Sequence, residues 1–346
     1  MRELCSVTVN GETFSAYRGD VLLDTALING VDIPHDCRSG QCGTCRVHVL
    51  EGEVEGAADN EPNVVRACQS RIVSDVAVVF EETPAISVCS GVVRSLDWRA
   101  QDVVEICVEP SRPMALLPGQ YMHVQFRGFP ARCYSPTVAF DLPDDGRFLR
   151  FHVRRFADGQ VSSAIGREIV PGHRVRLSGP FGSAYLRAGL SNRLVLVSGG
   201  TGFAPIWAIA DAALRENPYR SIVAIVGARS LAALYMIPAL CHLATGPNVN
   251  LVPVIEERCS EASVIRSGRP TDFLPQLNAD DIVYAAGVPA MVDVVTKAAA
   301  LSGALCHADP FEPAEIEGGS WVAGAITRLR DDFPGMIGWR PNQSTR

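Results

Sequence analysis

Four cysteines, Cys37, Cys42, Cys45 and Cys68, constrain this chain more than any other feature. They lie in HDCRSGQCGTCRVHV and, further on, in VVRACQS. The first three follow a C-x4-C-x2-C spacing, and 22 residues separate Cys45 from Cys68. Four thiolates at such spacing make the ligand set of a [2Fe–2S] centre, two to each iron. A loop wrapped round a cluster needs glycine where side chains would crowd the sulfurs, and Gly40 and Gly43 stand between the ligands. The competing reading is a lone redox C-x-x-C at Cys42 and Cys45, or half a zinc site. Zinc knuckles usually come in pairs, and only one is present. A cluster of this kind moves one electron at a time, so the chain is expected to lie on an electron-transfer path.

At 346 residues the chain exceeds one ordinary domain, and its 47% apolar content suffices for several cores. Met1 to Asn10 alternates polar and apolar like a strand, which argues against a signal peptide. One long uncharged stretch, Leu194 to Ala210, contains Gly199, Gly200, Gly202 and Pro205; it predicts a strand, a turn and a helix rather than a membrane span. The expectation is a cytoplasmic protein whose other cysteines (Cys5, Cys89, Cys107, Cys133, Cys241, Cys259 and Cys306) are small buried hydrophobes. Residues 1–84 carry 6 Arg against 14 Asp or Glu, a balance of −8, whereas the remainder is +1. That excess argues against nucleic acid as a partner. It suits docking onto a basic patch of a redox protein, and an ordinary solvated acidic surface accounts for it equally well.

The organisation changes twice along the chain. Val7–Val9 and Thr13–Phe14, about the Asn10-Gly11 turn, read as a hairpin. A helix over Asp20–Asn29 follows, then strands at Arg46–Leu50 and Ala77–Phe80. Beyond Ile86, short alternating strands predict an antiparallel barrel: Ser87–Val93, Val103–Val108, Tyr121–Phe126, Phe148–Val153 and Arg174–Leu177. From Leu190 strands and helices alternate, as in a parallel sheet with crossover helices. Strands are expected at Leu194–Val197, Ile222–Val226, Leu251–Pro253 and Ile282–Ala285, with helices from Pro205, near Leu231–Ala244 and from Pro289.

Two further constellations carry chemistry. Arg132-Cys-Tyr-Ser135, following Pro118-Gly-Gln-Tyr121, offers a forked donor for pyrophosphate, a flat aromatic face and a hydroxyl. Leu194-Val-Leu-Val-Ser-Gly-Gly-Thr-Gly-Phe-Ala-Pro205 is a buried strand feeding a glycine turn and a helix start. There Gly200, Thr201, Gly202 and Pro205 suit a pyrophosphate at a helix amino-terminus. A glycine turn serving only tight strand–helix packing is the plainer alternative.

With these residues in view, CRSGQCGTC followed by ACQS resembles the ferredoxin domain of the reductase components of bacterial aromatic-ring oxygenases, with a shorter gap between Cys45 and Cys68. Arg132, Tyr134 and Ser135 match the R-x-Y-S flavin motif of the ferredoxin–NADP reductase superfamily. His152 and Val153, then Gly159, Val161, Ser162 and Ser163, resemble its second flavin segment, where a helix is expected to receive the pyrophosphate; a capped surface helix with Ser162 as N-cap is the alternative. Gly227, Arg229, Ser230 and Tyr235 resemble its adenosine-side segment, although Arg229 and Ser230 suit a solvent-facing turn equally. Ala286, Gly287, Pro289 and Met291 occupy the place of its C-G-P-P-x-M, with Ala286 where a Cys lies against the nicotinamide and Val288 where a Pro stands. Phe311 resembles the aromatic that covers the flavin, or else packs a last strand.

The resemblance implies a β-grasp [2Fe–2S] ferredoxin domain over 1–84, an antiparallel β-barrel binding FAD over 86–188, and a parallel α/β nicotinamide-binding domain over 189–312. A tail over 313–346 has no legible role. It implies transfer of electrons from NADH, or NADPH, through FAD and the cluster to a terminal oxygenase or an intermediate ferredoxin, with Ser135 and Ala286 at the hydride-transfer centre. The rivals are a reductase of the same build serving a deoxysugar dehydrase or another acceptor, and a carrier or sensor that has lost hydride transfer.

Overall fold

A computed structural model describes residues 3–58, 61–140, 146–258 and 264–311, and three sheets, each with its own core, account for them. The expectations for Cys259 and for the tail beyond Pro313 lie outside the described residues.

The first sheet comprises β1 (Leu4–Val9), β2 (Glu12–Tyr17), β3 (Arg46–Glu51), β4 (Val54–Ala58), β5 (Val64–Ile72) and β6 (Val76–Val79), in the order β2-β1-β6-β3-β5-β4. Asn10 and Gly11, at φ +47° and +89°, make the two-residue hairpin turn that matches strand twist. Helix α1 (Leu22–Ile28) is slightly shorter than expected; it buries Leu22, Leu23 and Ala26 beside Val7, Val47, Ala67 and Ile72. Only β1–β6 is a parallel pair. Strands β4 and β5 were not expected, and β5 carries Cys68.

The second sheet is antiparallel throughout. Its strands are β7 (Ser87–Trp98), β8 (Val103–Pro110), β9 (Tyr121–Phe126), β10 (Arg132–Tyr134), β11 (Pro136–Thr137), β12 (Leu149–Arg154) and β13 (Arg174–Phe181), in the order β10-β9-β13-β7-β8-β12-β11. The two edge strands, β10 and β11, are consecutive in the chain and separated by Ser135 alone. One residue spans the gap between opposite edges, so the sheet curls into a nearly closed barrel.

The third sheet is wholly parallel: β14 (Leu194–Gly199), β15 (Ile222–Ala228), β16 (Val249–Ile255), β17 (Arg266–Ser267), β18 (Ile282–Gly287) and β19 (Leu305–Pro310), in the order β17-β16-β15-β14-β18-β19. Helices α2 (Phe203–Glu216), α3 (Ile237–Ala244) and α4 (Pro289–Ser302) connect it. The chain steps outward from β14 to β16, then returns to the other flank at β18. The carboxyl ends of β14 and β18 therefore bound a crevice at a topological switch point. The single helix expected near Leu231–Ala244 is a 3-10 turn, Leu231–Ala233, followed by α3. Met236 at φ +57° and Pro238 in the first turn break it, since proline belongs at a helix start. Among the described residues no helix is long and apolar enough to cross a membrane.

The described cysteines are all free thiols. Cys5, Cys89, Cys107 and Cys306 are buried as expected; Cys133 and Cys241 are exposed, correcting their reading as core residues.

Candidate redox site where three sheets meet

The loop before β3 turns where its backbone is left-handed, at Arg38 (φ +56°), Gly40 (φ +81°) and Gly43 (φ +67°). A side chain at Gly40 would stand 2.8 Å from Gln69 Cγ. Gln69 Nε2 donates to Arg38 O at 2.8 Å, so β5 braces the loop that it faces. The backbone N–H of Cys42 donates to Cys37 Sγ at 3.4 Å, and Thr44 Oγ1 to Cys42 Sγ at 3.2 Å. Cys37 is exposed, Cys42 half-buried, and Cys45 and Cys68 buried.

The thiols group two by two. Cys42 donates to Cys37 and holds its thiol down at about 4; Cys45 donates to Cys68 and holds it at about 6, while both donors are pushed up. Among the described residues no three His, Cys, Asp or Glu side chains converge as one metal ion would require. Two pairs of sulfurs, with N–H donors aimed at them, fit two irons held by two thiolates each.

Ser135 joins β10 to β11 and is 7% exposed; its hydroxyl donates to Asp309 Oδ2 at 3.2 Å. Burial raises the Asp309 carboxyl to about 6, against the pull of that hydrogen bond. Arg132 donates to Ala131 O at 2.8 Å and to Gln160 Oε1 at 3.1 Å, tying the motif to the loop after β12. Tyr134 lies 6.2 Å from the Phe151 ring, and burial raises its phenol.

The second flavin segment differs from expectation. Ser162–Ala164 is one 3-10 turn rather than a helix, and Ser162 Oγ accepts from Phe156 N at 3.1 Å instead of capping forward. A Cβ at Gly159 would stand 2.2 Å from that hydroxyl, so glycine there leaves room for the hydrogen bond it accepts from Phe156 N. Ser163 O accepts from Arg155 at 3.4 Å, and the Nε of Arg155 is buried without a partner. Its guanidinium lies 5.2 Å over the Trp98 ring, and such an orphaned cationic donor suits a phosphate. Val153 and Val161, 3% and 2% exposed, pack inside the barrel.

His152 spends both ring nitrogens on protein: Nε2 on Glu105 Oε2 at 2.9 Å and Nδ1 on the Tyr235 hydroxyl at 3.3 Å. Tyr235, expected on the adenosine side, is buried edge-on against the imidazole. Ser230 Oγ accepts from Ala233 N at 3.2 Å as the cap of its 3-10 turn, while Arg229 is exposed beside it. Gly227 lies under Pro270, with 2.2 Å from its would-be Cβ to the ring.

In the crevice, Gly202 and Gly287 are close-packing residues. A Cβ on Gly202 would stand 2.2 Å from Ala286 O, and one on Gly287 2.7 Å from Gly199 O. The turns after β14 and β18 thus touch backbone to backbone. Gly200 (φ +58°) faces the Arg154 guanidinium, Thr201 is partly exposed, and Pro205 is buried inside α2. Ser198 Oγ is buried just below, without a partner. Ala286, expected against the nicotinamide, is 2% exposed and packs into the core of the third sheet. Pro289 starts α4, Met291 Sδ stands 3.2 Å from the would-be Cβ of Gly199, and Phe311 N donates to Gly287 O at 2.7 Å. The Phe311 side chain packs partly buried against the core of the third sheet.

Side chains that sequence reasoning missed join the three sheets. Asp36, one residue before Cys37, accepts hydrogen bonds from Tyr121 Oη and from His123 Nε2, the latter at 3.1 Å. Burial pulls the His123 imidazole down, but its bonds to Asp36 and Cys133 outweigh this and raise it to about 10. Arg46, one residue after Cys45, pairs with Glu61 at 2.6 Å and meets His307 of β19 at 3.5 Å. Glu81 accepts from Tyr185 and pairs with Arg187 at 3.1 Å. No local spacing signals these residues, since their partners are remote in the chain; Asp309 had only its place two residues before Phe311.

Comparison with known proteins agrees with this layout. Residues 7–73 match a 2Fe-2S iron-sulfur cluster binding domain, 102–185 an oxidoreductase FAD-binding domain and 196–297 an oxidoreductase NAD-binding domain. The chain is 33% identical over 326 residues to the ferredoxin–NAD(P)+ reductase component of a Pseudomonas putida naphthalene 1,2-dioxygenase system, covering 88% of this chain and 96% of that one. It is also 33% identical over 337 residues to the corresponding component of Ralstonia naphthalene 1,2-dioxygenase/salicylate 5-hydroxylase systems, covering 91% and 98%. The crystal structure of the Amycolatopsis cytochrome P450 reductase GcoB superposes with a TM-score of 0.66 at 28% identity, covering 90% of this chain and 100% of that one.

A cluster domain, a flavin barrel and a nicotinamide sheet on one chain define an iron–sulfur flavoprotein oxidoreductase. The chain belongs to the family of ferredoxin–NAD(P)+ reductase components, and its cofactors are a [2Fe–2S] cluster, FAD and NAD(P)H.

Proposed function

We propose that this chain draws electron pairs from NADH and delivers them singly to a terminal oxygenase, directly or through an intermediate ferredoxin. The observation that carries this reading is the contact between the loop bearing Cys37, Cys42 and Cys45 and the barrel bearing Arg132, Tyr134 and Ser135. Oxygenase systems are the setting of both bacterial relatives, which supports an oxygenase as acceptor. Bound flavin accepts a pair of electrons and releases them one by one, and the cluster carries single electrons.

The protein's part is binding, orientation and exclusion of water. Cys37 and Cys42 would hold one iron, Cys45 and Cys68 the other. Arg132 and Arg155 would take the flavin pyrophosphate, and Tyr134 would offer its ring face. Ser135, held by Asp309, keeps its hydroxyl proton at a fixed atom beside the junction of β10 and β11. The turns Gly199–Gly202 and Gly287–Pro289 would receive the coenzyme at the switch point. We assign residues 1–84, 86–188 and 189–312 to the three cofactor-binding parts. NADH is preferred over NADPH on family grounds, and the free thiols suit the cytoplasm.

Anaerobic addition of NADH is expected to bleach the flavin and then the cluster absorbance within seconds, faster than NADPH does. Persistent absorbance of both would support the rival carrier reading and overturn this one. Substrate turnover by a reconstituted oxygenase then tests the acceptor.

A further inference from the structure

The cluster loop is fastened to the barrel at two points, one before its first ligand and one between Cys42 and Cys45. At the first is Asp36, whose carboxylate oxygen Oδ2 receives Tyr121 Oη and His123 Nε2 together. Tyr121 and His123 alternate on one face of β9, their rings 6.0 Å apart, and Phe181 of β13 packs 5.8 Å and 4.6 Å from them. The side chains of Asp36 and His123 are only 15% and 14% exposed, so the carboxylate has given up most of its water for these two donors. Across the ladder, His123 is the registered partner of Cys133, which stands between Arg132 and Tyr134. At the second, Thr44 Oγ1 donates to Cys42 Sγ and accepts from Gly182 N at 3.0 Å. A Cβ on Gly43 would stand 2.3 Å from Ser183 Oγ, so loop and barrel touch with no room between.

We propose that Asp36, Tyr121 and His123 form a latch that positions the cluster loop on the flavin strand, and so set the rate of electron passage between flavin and cluster. This rests on the functional reading above. The step served is one electron leaving reduced flavin and reducing one cluster iron from ferric to ferrous; NADH supplies the pair, and no bond is made or broken. The three side chains are positioning residues, reached from Cys37 through one peptide bond and from Tyr134 through Cys133. A carboxylate bearing two donors from one rigid strand fixes direction as well as distance, which a purely apolar contact would not.

Stopped-flow mixing of the holoprotein with NADH separates the two steps. In Asp36→Ala, flavin reduction is expected at the parent rate, while cluster reduction, followed by absorbance and freeze-quench EPR, slows about tenfold, because the loop is no longer held at a fixed separation and direction from the flavin strand. The EPR spectrum of the dithionite-reduced cluster should match the parent's. Asp36→Asn, which keeps an acceptor oxygen in place, should recover most of the rate. Asp36→Ala combined with His123→Ala should be no slower than Asp36→Ala alone, because one latch is lost only once. Parent-like cluster reduction in Asp36→Ala overturns the proposal. Should that variant fail to assemble its cluster, Tyr121→Phe combined with His123→Ala, on the barrel and away from the ligands, decides by the same rate. A parent protein whose flavin stays oxidised with NADH would instead sink the reading on which the latch rests.

Discussion

Cys68→Ser is expected to leave flavin reduction by NADH at the parent rate while electron delivery to cytochrome c falls at least about a hundredfold, since even residues beyond a metal's own ligands cost 10–100-fold in affinity or activity. Cys68 sits on β5, paired with Cys45 across the end of the loop, and its thiol is held low by that partner. A serine hydroxyl keeps the shape, but it is far harder to deprotonate and is a poor ligand to iron in a thiolate site. Ser135, Arg132 and Arg155 spend their hydrogen bonds on Asp309, Ala131, Gln160 and Ser163, away from Cys68, so the flavin seat is expected to stay intact. Absorbance and EPR of the purified variant report the cluster, and parallel ferricyanide and cytochrome c assays report the two outputs. Equal cytochrome reduction by variant and parent would remove the cluster from the path.

What was legible in the chain followed the range of each signal. The cysteine spacing, the glycine turn after Val197 and the Arg132–Ser135 motif are local, each legible within a short run of residues. Periodicity found the barrel strands and the parallel strands, because buried positions repeat within one element. It missed β4 and β5, since Val54–Ala58 carries glycine and alanine where a strand signal needs branched residues, and β5 alternates only in part. It also merges two pieces into one helix at Leu231–Ala244, where Pro238 is a start signal within the run.

Partnerships are the least legible. His152, Ser230, Tyr235 and Ala286 have the residue types of a family motif, and the structure shows the first three hydrogen-bonded to protein and the backbone of the last packed against Gly202. Conversely, Asp36, His123 and Asp309 act through contacts 87, 87 and 174 residues away, which no window along the chain can contain. Such residues become visible only when three sheets are brought to one place.

Glu105→Gln is the second large effect, and it acts through the support of the flavin site. Glu105 on β8 is 3% exposed and surrounded by cations: Oε1 pairs with Arg99 and Arg150 at 2.9 Å each, and Oε2 meets His152 Nε2 at 2.9 Å. Burial alone would raise its carboxyl, but the hydrogen bonds from His152 and Arg99 outweigh it and hold the group at about 2. Burial in turn keeps His152 below the ordinary histidine range, against the pull of Glu105. Removing the charge leaves two guanidinium groups, the partly exposed Arg99 and the more buried Arg150, facing a buried neutral amide. The expected loss is about 3 kcal/mol at neutral pH. The folded carboxyl titrates below its unfolded value of about 4.3, so its contribution is complete above that value and is lost as pH falls toward about 2. Parent and Glu105→Gln should therefore differ by a constant amount in urea unfolding from pH 8 to pH 5, with the gap narrowing below about 4.5. A gap that stays constant down to pH 3 would show that the carboxylate is not held by these partners. His152 also reaches Tyr235 on the nicotinamide side at 3.3 Å, so the same substitution should weaken the seating of the barrel on the coenzyme sheet. A raised KM for NADH, with the cluster EPR spectrum unchanged, would register that second consequence.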